Sequence, residues 1–274
     1  EGRSLSNPPV GCVIVDQFGR LCATAHTGRG GVPHAETLAL DMAGHLAGGA
    51  TVYVTLEPCA HNGKTPPCID ALIAARVARI VVAVADPDAR VNGRGLEKAK
   101  AAGIDTHLGV GAAAAKAVLS GFLTRIERGR PYVSMKTAAS LDGGIALADG
   151  EKRWLTGRPM RDFMYEVRSR CDALLTGVGT ILADDPELTC RAPARNADSP
   201  AVFVLDSQLR TPPTARIFGA GNRPVTLLCA SSAPKDRLMA LTQAGAVVTR
   251  LPAHPNGQLD LDAVLEHLGA GGIN

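Results

Sequence analysis

Val10 to Val15 is an apolar run rich in β-branched residues, and Arg20 to Ala25 repeats the character after the turn Asp16-Gln17-Phe18-Gly19. Together they predict a β-hairpin. Past a glycine-rich loop the period changes: Ala35, Leu38, Ala39, Met42, Ala43 and Leu46 recur at helical spacing until Gly48-Gly49. Thr51 to Leu56 reads as a buried strand. Pro66-Pro67 opens a helix through Ala75, since proline is tolerated in a first turn. Arg79 to Ala85 is another buried strand, followed by helices over Leu96 to Ala102 and Ala112 to Ile126. This alternation predicts a layered α/β domain over residues 1–128.

The polar hinge Arg128-Gly129-Arg130-Pro131 marks a boundary, and a second α/β pattern fills residues 131–274. Its predicted strands are Tyr132 to Ala138, Ala173 to Thr176, Ala201 to Asp206, Val225 to Cys229 and Ala246 to Thr249. Its predicted helices are Met160 to Arg170 and Lys235 to Ala244, and Asn196 to Pro200 reads as a loop. No internal repeat is visible. The pattern reads as cut at both ends, opening inside a motif and stopping at Gly272-Ile273-Asn274 as a strand begins.

Composition narrows the function. With 274 residues and 46% of them apolar, the chain can bury two cores. No stretch nears the roughly 20 apolar residues of a membrane helix, and Glu1 to Pro9 lacks the features of a signal peptide. Seven scattered cysteines suit free thiols and metal ligands in a reducing compartment, so we expect a cytoplasmic protein whose Cys12, Cys22, Cys171, Cys190 and Cys229 are small core residues. The net charge is only +3, with one tryptophan, three tyrosines and five phenylalanines. That offers little to a nucleic acid, whereas small phosphorylated ligands fit.

The chemistry concentrates in His34-Ala35-Glu36, Glu57-Pro58-Cys59 and Cys68. One nitrogen and two sulfur ligands suit zinc and leave a fourth position open for water, the mark of a catalytic site. Both cysteines fall beside a helix start, where unpaired amides favour thiolate. Glu36 opens the same helix as His34, which places a carboxylate near the metal water without making it a ligand. It can move a proton from water to a ring nitrogen and to leaving ammonia. This is the order of the zinc nucleobase deaminases, His-x-Glu then Pro-Cys and a second Cys. Here eight residues, Ala60 to Pro67, separate the cysteines instead of two. That insert carries His61, Lys64 and Thr65, donors for an anion near the metal or members of an ordinary solvated loop. His61 also stays open as an alternative ligand.

These runs, with Asn7-Pro8-Pro9-Val10-Gly11-Cys12 before them, resemble the riboflavin-biosynthesis deaminases. Ser140-Leu141-Asp142-Gly143, Trp154-Leu155-Thr156-Gly157 and Gly177 to Pro186 resemble the pyrimidine reductase attached to them. The resemblance implies a cytidine-deaminase-like α/β domain followed by a dihydrofolate-reductase-like α/β domain. It implies one catalytic Zn2+ and NADPH, a small phosphorylated pyrimidine substrate, and a homo-oligomer, dimer or larger. Hydrolytic deamination of a diaminohydroxy-phosphoribosylaminopyrimidine would precede reduction of its ribosyl group to ribityl. By the same resemblance His34, Cys59 and Cys68 hold zinc and Glu36 shuttles the proton. Asn7, His26, His61 and Lys64 contact the deaminase substrate. Ala138, Trp154, Thr180, Asp184 and Ser207 fall on the NADPH side; Lys152, Arg168, Leu188 and Arg191 face the reductase substrate. A later Glu-Gly-Gly motif of the family would follow Asn274.

Read without the family, the second half says less. Gly177-Val178-Gly179-Thr180 follows a strand and could bring amides to a phosphate, but the third glycine of a dinucleotide fingerprint is missing. Trp154 could cover a nicotinamide or pack in the core. Arginine forks suit phosphate, which supports Arg168 and Arg191 over surface roles. Two rival readings remain: a deaminase of RNA or free nucleosides, and a zinc-stabilised interaction module. The second domain argues against the first, and Glu36 beside an open coordination position argues against the second.

Overall fold

The computed structural model describes residues 4–63, 65–147, 154–191 and 199–274. The chain separates into two compact units, Glu1–Tyr132 with Leu268–Asn274, and Val133–His267.

The first unit is built on the predicted hairpin, β1 (Gly11–Val15) and β2 (Leu21–His26), joined by β3 (Thr51–Leu56), β4 (Arg79–Val84) and β5 (Asp105–Leu108) in the order β2-β1-β3-β4-β5. β1 runs antiparallel to β2 and β3, while β3, β4 and β5 are mutually parallel. In β4 five of six residues are buried, as expected of a strand covered on both faces. The helices α1 (Ala35–Ala43), α2 (Cys68–Ala74), α3 (Arg94–Ala101), α4 (Ala112–Val118) and α5 (Ser120–Arg128) surround the sheet, and Ile14, Val52, Ile69, Leu72, Ile80 and Leu119 are fully enclosed. The predicted first helix is shorter than its apolar pattern because Gly44, at φ 56°, ends α1 before a 3-10 turn over Gly44–Ala47. The predicted helix from Ala112 to Ile126 is two helices that meet at Leu119. β5 escapes the apolar pattern because its residues, Asp-Thr-His-Leu, are largely exposed at the sheet edge.

Because β3 and β4 are parallel neighbours, the loops leaving their carboxyl ends, 57–67 and 85–93, emerge side by side. Open α/β sheets bind ligands at such ends. The segment Leu268–Asn274 adds to this unit, where Arg125 Nε donates to Asn274 Oδ1 at 2.8 Å.

Among its described residues the second unit holds four parallel strands, β6 (Ala173–Gly177), β7 (Ala201–Leu205), β8 (Val225–Ala230) and β9 (Val247–Leu251), in sequential order. Its helices are α6 (Arg158–Ser169), α7 (Val178–Asp184), α8 (Arg216–Gly219), α9 (Lys235–Gln243) and residues 261–267 of α10 (Leu261–Ala270). Val202, Val204, Ile217 and Leu227 form the core with Leu241. The strand predicted over Tyr132 to Ala138 does not form. Among the described residues no strand lies alongside it, and Val133 and Met135 are exposed, so its backbone has no ladder to join. All seven cysteines are free; Cys12, Cys190 and Cys229 are buried as expected, but Cys22 and Cys171 are only half-buried. Among the described residues no helix is long and apolar enough to cross a membrane.

Asp206, fully buried after β7, closes the turn that follows it. Its carboxylate accepts the Arg210 N–H and both the N–H and the hydroxyl of Thr211, each at 2.8 Å. Asp206→Ala leaves these donors without a partner, and orphaned buried groups cost about 1–3 kcal/mol each. Urea unfolding followed by circular dichroism should show a loss of roughly 3 kcal/mol; an unshifted midpoint would mean water replaces the carboxylate.

Candidate metal centre

Three local structures deliver the ligands. His34 is the N-cap of α1, in extended backbone just before Ala35. Cys59 leaves the carboxyl end of β3 two residues after Glu57, and Cys68 is the first residue of α2, behind Pro67. The ligand atoms of His34, Cys59 and Cys68 all lie within 4.8 Å of one another. His34 Nδ1 is 3.1 Å from Cys68 Sγ and 3.6 Å from Cys59 Sγ. The Cys68 amide, an unpaired donor of a helix start, gives its hydrogen to Cys59 Sγ at 3.3 Å. His61 lies outside this group, so among the described residues His34 is the histidine that joins the two sulfurs.

The electrostatics suit a cation. The Cys68 thiol hydrogen-bonds Cys59 and, with His34 and the Cys68 amide, holds Cys59 down at about 4. Cys68 is correspondingly raised, since it keeps the proton it shares with Cys59. His34 is raised by the hydrogen bond to Cys59. Glu36, in the first turn of α1 and only 4% exposed, is pushed up to about 7, mainly by burial and further by the Cys59 charge. A divalent ion among the ligands acts oppositely on both protonated groups, drawing the proton from Cys68 and favouring the Glu36 carboxylate. Two sulfurs and one imidazole nitrogen, with a buried acid beside them, are a donor set that fits zinc with one position left open.

Around this centre, Asn7 Nδ2 donates to the Gly31 carbonyl at 2.8 Å, which ties Asn7 to the loop leading into His34. His26 ends β2 with Nδ1 2.9 Å from the Thr27 carbonyl oxygen. His61 Nδ1 is buried without a hydrogen-bond partner among the described residues. Lys64 lies outside the described residues. Sequence reasoning passes over Asp86, which follows β4 and is 7% exposed; burial raises it to about 6, and the Cys59 charge contributes. Only the pairing of β3 with β4 brings it near Cys59, and no local motif reports that.

In the second unit, Arg168 and the stretch carrying Leu188 and Arg191 come together. Arg168 donates to the Thr189 carbonyl at 2.7 Å, Leu188 adopts φ 51°, and Arg191 pairs with Glu187 at 2.8 Å. Glu187 also holds Arg216. Arg223, which sequence reasoning does not single out, donates to the Glu187 carbonyl. Thr180 and Asp184 stand one turn apart on α7, both exposed. Gly177 and Gly179 have open space where a Cβ would stand. Ala138 is half-buried, and the Ser207 carbonyl accepts the Ala230 N–H at 3.1 Å. Trp154 is 77% exposed with the Arg161 guanidinium 4.5 Å from its ring centre, so it is no core residue. Lys152 lies outside the described residues.

Comparison with known proteins agrees with both halves. Residues 1–84 match the cytidine and deoxycytidylate deaminase zinc-binding region, and residues 131–274 match the RibD C-terminal domain. The riboflavin biosynthesis protein RibD of Escherichia coli is 43% identical, over 98% of this chain and 74% of that protein. The structure of Acinetobacter baumannii RibD superposes with a TM-score of 0.85 at 36% identity, covering 99% of this chain and 74% of the other. A diaminohydroxyphosphoribosylaminopyrimidine deaminase/5-amino-6-(5-phosphoribosylamino)uracil reductase of Thermotoga maritima superposes with a TM-score of 0.84 at 32% identity, over the same shares.

Proposed function

The chain belongs to the RibD family of bifunctional riboflavin-biosynthesis enzymes, and from that membership we propose that its first unit deaminates 2,5-diamino-6-(5-phosphoribosylamino)pyrimidin-4-one and its second reduces the ribosyl group of the product. The observation that carries the first half is the convergence of His34, Cys59 and Cys68 beside the buried Glu36 carboxyl.

Bound by these three ligands, zinc supplies a Lewis acid that makes water acidic near neutral pH. The chain's own residues do the rest. Glu36 takes one proton from water at its carboxylate and gives it to the ring nitrogen, then takes the second from the hydroxyl that water leaves on the carbon and gives it to the departing amine. The carbon loses ammonia and gains a carbonyl oxygen from water. Asn7, His26, His61 and Lys64 orient the pyrimidine and its phosphoribosyl group. The unpartnered His61 Nδ1 suits a ligand contact. NADPH is the reductant of the second half, held by Ala138, Trp154, Thr180, Asp184 and Ser207; the exposed Trp154 face and the open space at Gly177 and Gly179 fit a large planar, phosphorylated ligand. Lys152, Arg168, Leu188 and Arg191 take the substrate, with Arg168 and Arg191 toward phosphate. Seven free thiols suit a cytoplasmic setting, and membership of the family supports a dimer or larger assembly.

A coupled assay tests this. With the phosphoribosylated diaminopyrimidine, the purified chain should release ammonia in a chelator-sensitive manner, and NADPH oxidation should follow. Ammonia alone leaves the deaminase and removes the reductase claim. No ammonia from zinc-loaded protein sinks the deaminase claim.

A further inference from the structure

Glu57 precedes the ligand Cys59 by two residues, yet neither metal binding nor proton transfer uses it. Its main chain extends the sheet, with the Glu57 N–H donating to the Val84 carbonyl at 2.9 Å. Its side chain is only 3% exposed and makes no ion pair among the described residues. A buried carboxylate is costly unless hydrogen-bonded. Here four backbone N–H groups converge on it. Oε1 accepts from Gly95 at 3.0 Å and Leu96 at 3.2 Å; Oε2 accepts from Gly93 at 3.0 Å and Asp86 at 3.4 Å.

Three of those donors belong to the start of α3. Gly93 is its N-cap, in the left-handed region at φ 89°, and has no side chain with which to cap the helix. The orphan amides of a first turn need an acceptor, and a negative group is favoured there. Glu57 supplies it from 36 to 39 residues away in sequence. The fit is close: a Cβ on Gly95 would collide with the carbonyl oxygen of Pro58, the residue that leads into Cys59. The fourth donor, Asp86, lies at the opposite end of the same loop. One carboxylate therefore fastens both ends of the segment 86–96 to the strand end that carries a metal ligand.

That segment holds two acids whose carboxylates are bonded within the loop, Asp86 to the Asp88 N–H at 2.9 Å and Asp88 to Arg90, and whose charges reach the site. Asp86 lies close enough to Cys59 for its charge to be felt, and Asp88 close enough to His61 to be lowered by it, though the Arg90 bond lowers Asp88 most. We propose that Glu57 is a positioning residue for deamination: its carboxylate clamps the 86–96 segment to the Pro58-Cys59 strand end and thereby sets the wall of the site that faces His61. A displaced wall weakens substrate binding more than it alters the ligands, because Cys59 keeps its bonds to Cys68.

The kinetic part rests on the deaminase reading above. The test compares wild type with Glu57→Gln, Glu57→Ala and Gly95→Ala as zinc-loaded full chains. Glu57→Ala should speed hydrogen exchange at the amides of Gly93, Gly95 and Leu96 by about tenfold or more. Zinc should stay near one per chain, and kcat/KM should fall about 10–100-fold, chiefly through KM. Glu57→Gln, which keeps one acceptor oxygen, should lie between; it carries the same readouts if the alanine variant fails to fold. Unchanged exchange, or faster exchange with wild-type KM, overturns the clamp while ammonia release by wild type keeps the deaminase. A loss of activity that disappears when rates are expressed per bound zinc also overturns it. Absence of ammonia from wild type instead removes the deaminase reading and the kinetic role with it.

Discussion

Glu36→Gln should lose deamination by about 10²–10⁴-fold while retaining about one zinc per chain, the range over which a positioned acid–base group contributes. The substitution is nearly isosteric, and Glu36 sits 4% exposed in the first turn of α1 with Ala35 and Ala39 fully buried around it, so the helix should keep its place. What the amide cannot do is accept a proton from water and release it again. Burial pushes the Glu36 carboxyl up toward about 7, and a cation held by the neighbouring ligands would oppose that shift and favour the carboxylate, the form that accepts a proton from water. Ammonia release and metal content, measured on the same sample, decide the matter. Loss of zinc along with activity makes Glu36 a ligand and removes the shuttle. Activity retained within tenfold points instead to the other buried acid near Cys59, Asp86, as the group that moves the proton.

The His34, Cys59 and Cys68 cluster was legible in the sequence because each member stands where a local signal already operates. His34 precedes an apolar helical period, Cys59 ends a β-branched run, and Cys68 follows a proline pair. Glu57 and Asp86 gave no such signal. What makes them matter is the parallel pairing of β3 with β4 and the approach of Gly95 to Pro58, contacts between segments far apart in the sequence. The strand expected over Tyr132 to Ala138 failed for the same reason in reverse: its composition is strand-like, but a strand is a relation between two segments, and the described residues offer it no neighbour. Trp154 shows the limit of residue type. A lone tryptophan suits a ligand face and a core position alike, and only the structure shows that it lies exposed under Arg161. Arg168 and Arg191 rested on family likeness, and the contacts of Arg168 with Thr189 and of Arg191 with Glu187 now give them a shared stretch of backbone.

Cys59→Ser and Cys68→Ser should each weaken zinc binding by about 10²–10³-fold, and His61→Ala should not. Zinc bound at a four-ligand site is worth roughly 10–16 kcal/mol, so one ligand's share is about 2.5–4 kcal/mol. A serine hydroxyl, which keeps its proton at neutral pH, recovers little of it. Competition with a chromophoric chelator measures the affinities directly. If His61→Ala released the metal while Cys68→Ser held it, the ligand set would be wrong. The same variants separate a catalytic site from a structural one. Structural zinc sites are closed by four protein ligands and lose their fold with the metal. Here the ligands stand at the edge of a core that is closed without it, since Ala35, Ile69, Leu72 and Val82 are fully buried by one another and by the sheet. Zinc-free Cys68→Ser protein should therefore keep its circular dichroism and unfold cooperatively near the denaturant midpoint of zinc-free wild type. Collapse of the first unit on metal loss would turn the site into a staple for the fold, and the open coordination position beside Glu36 would need another explanation.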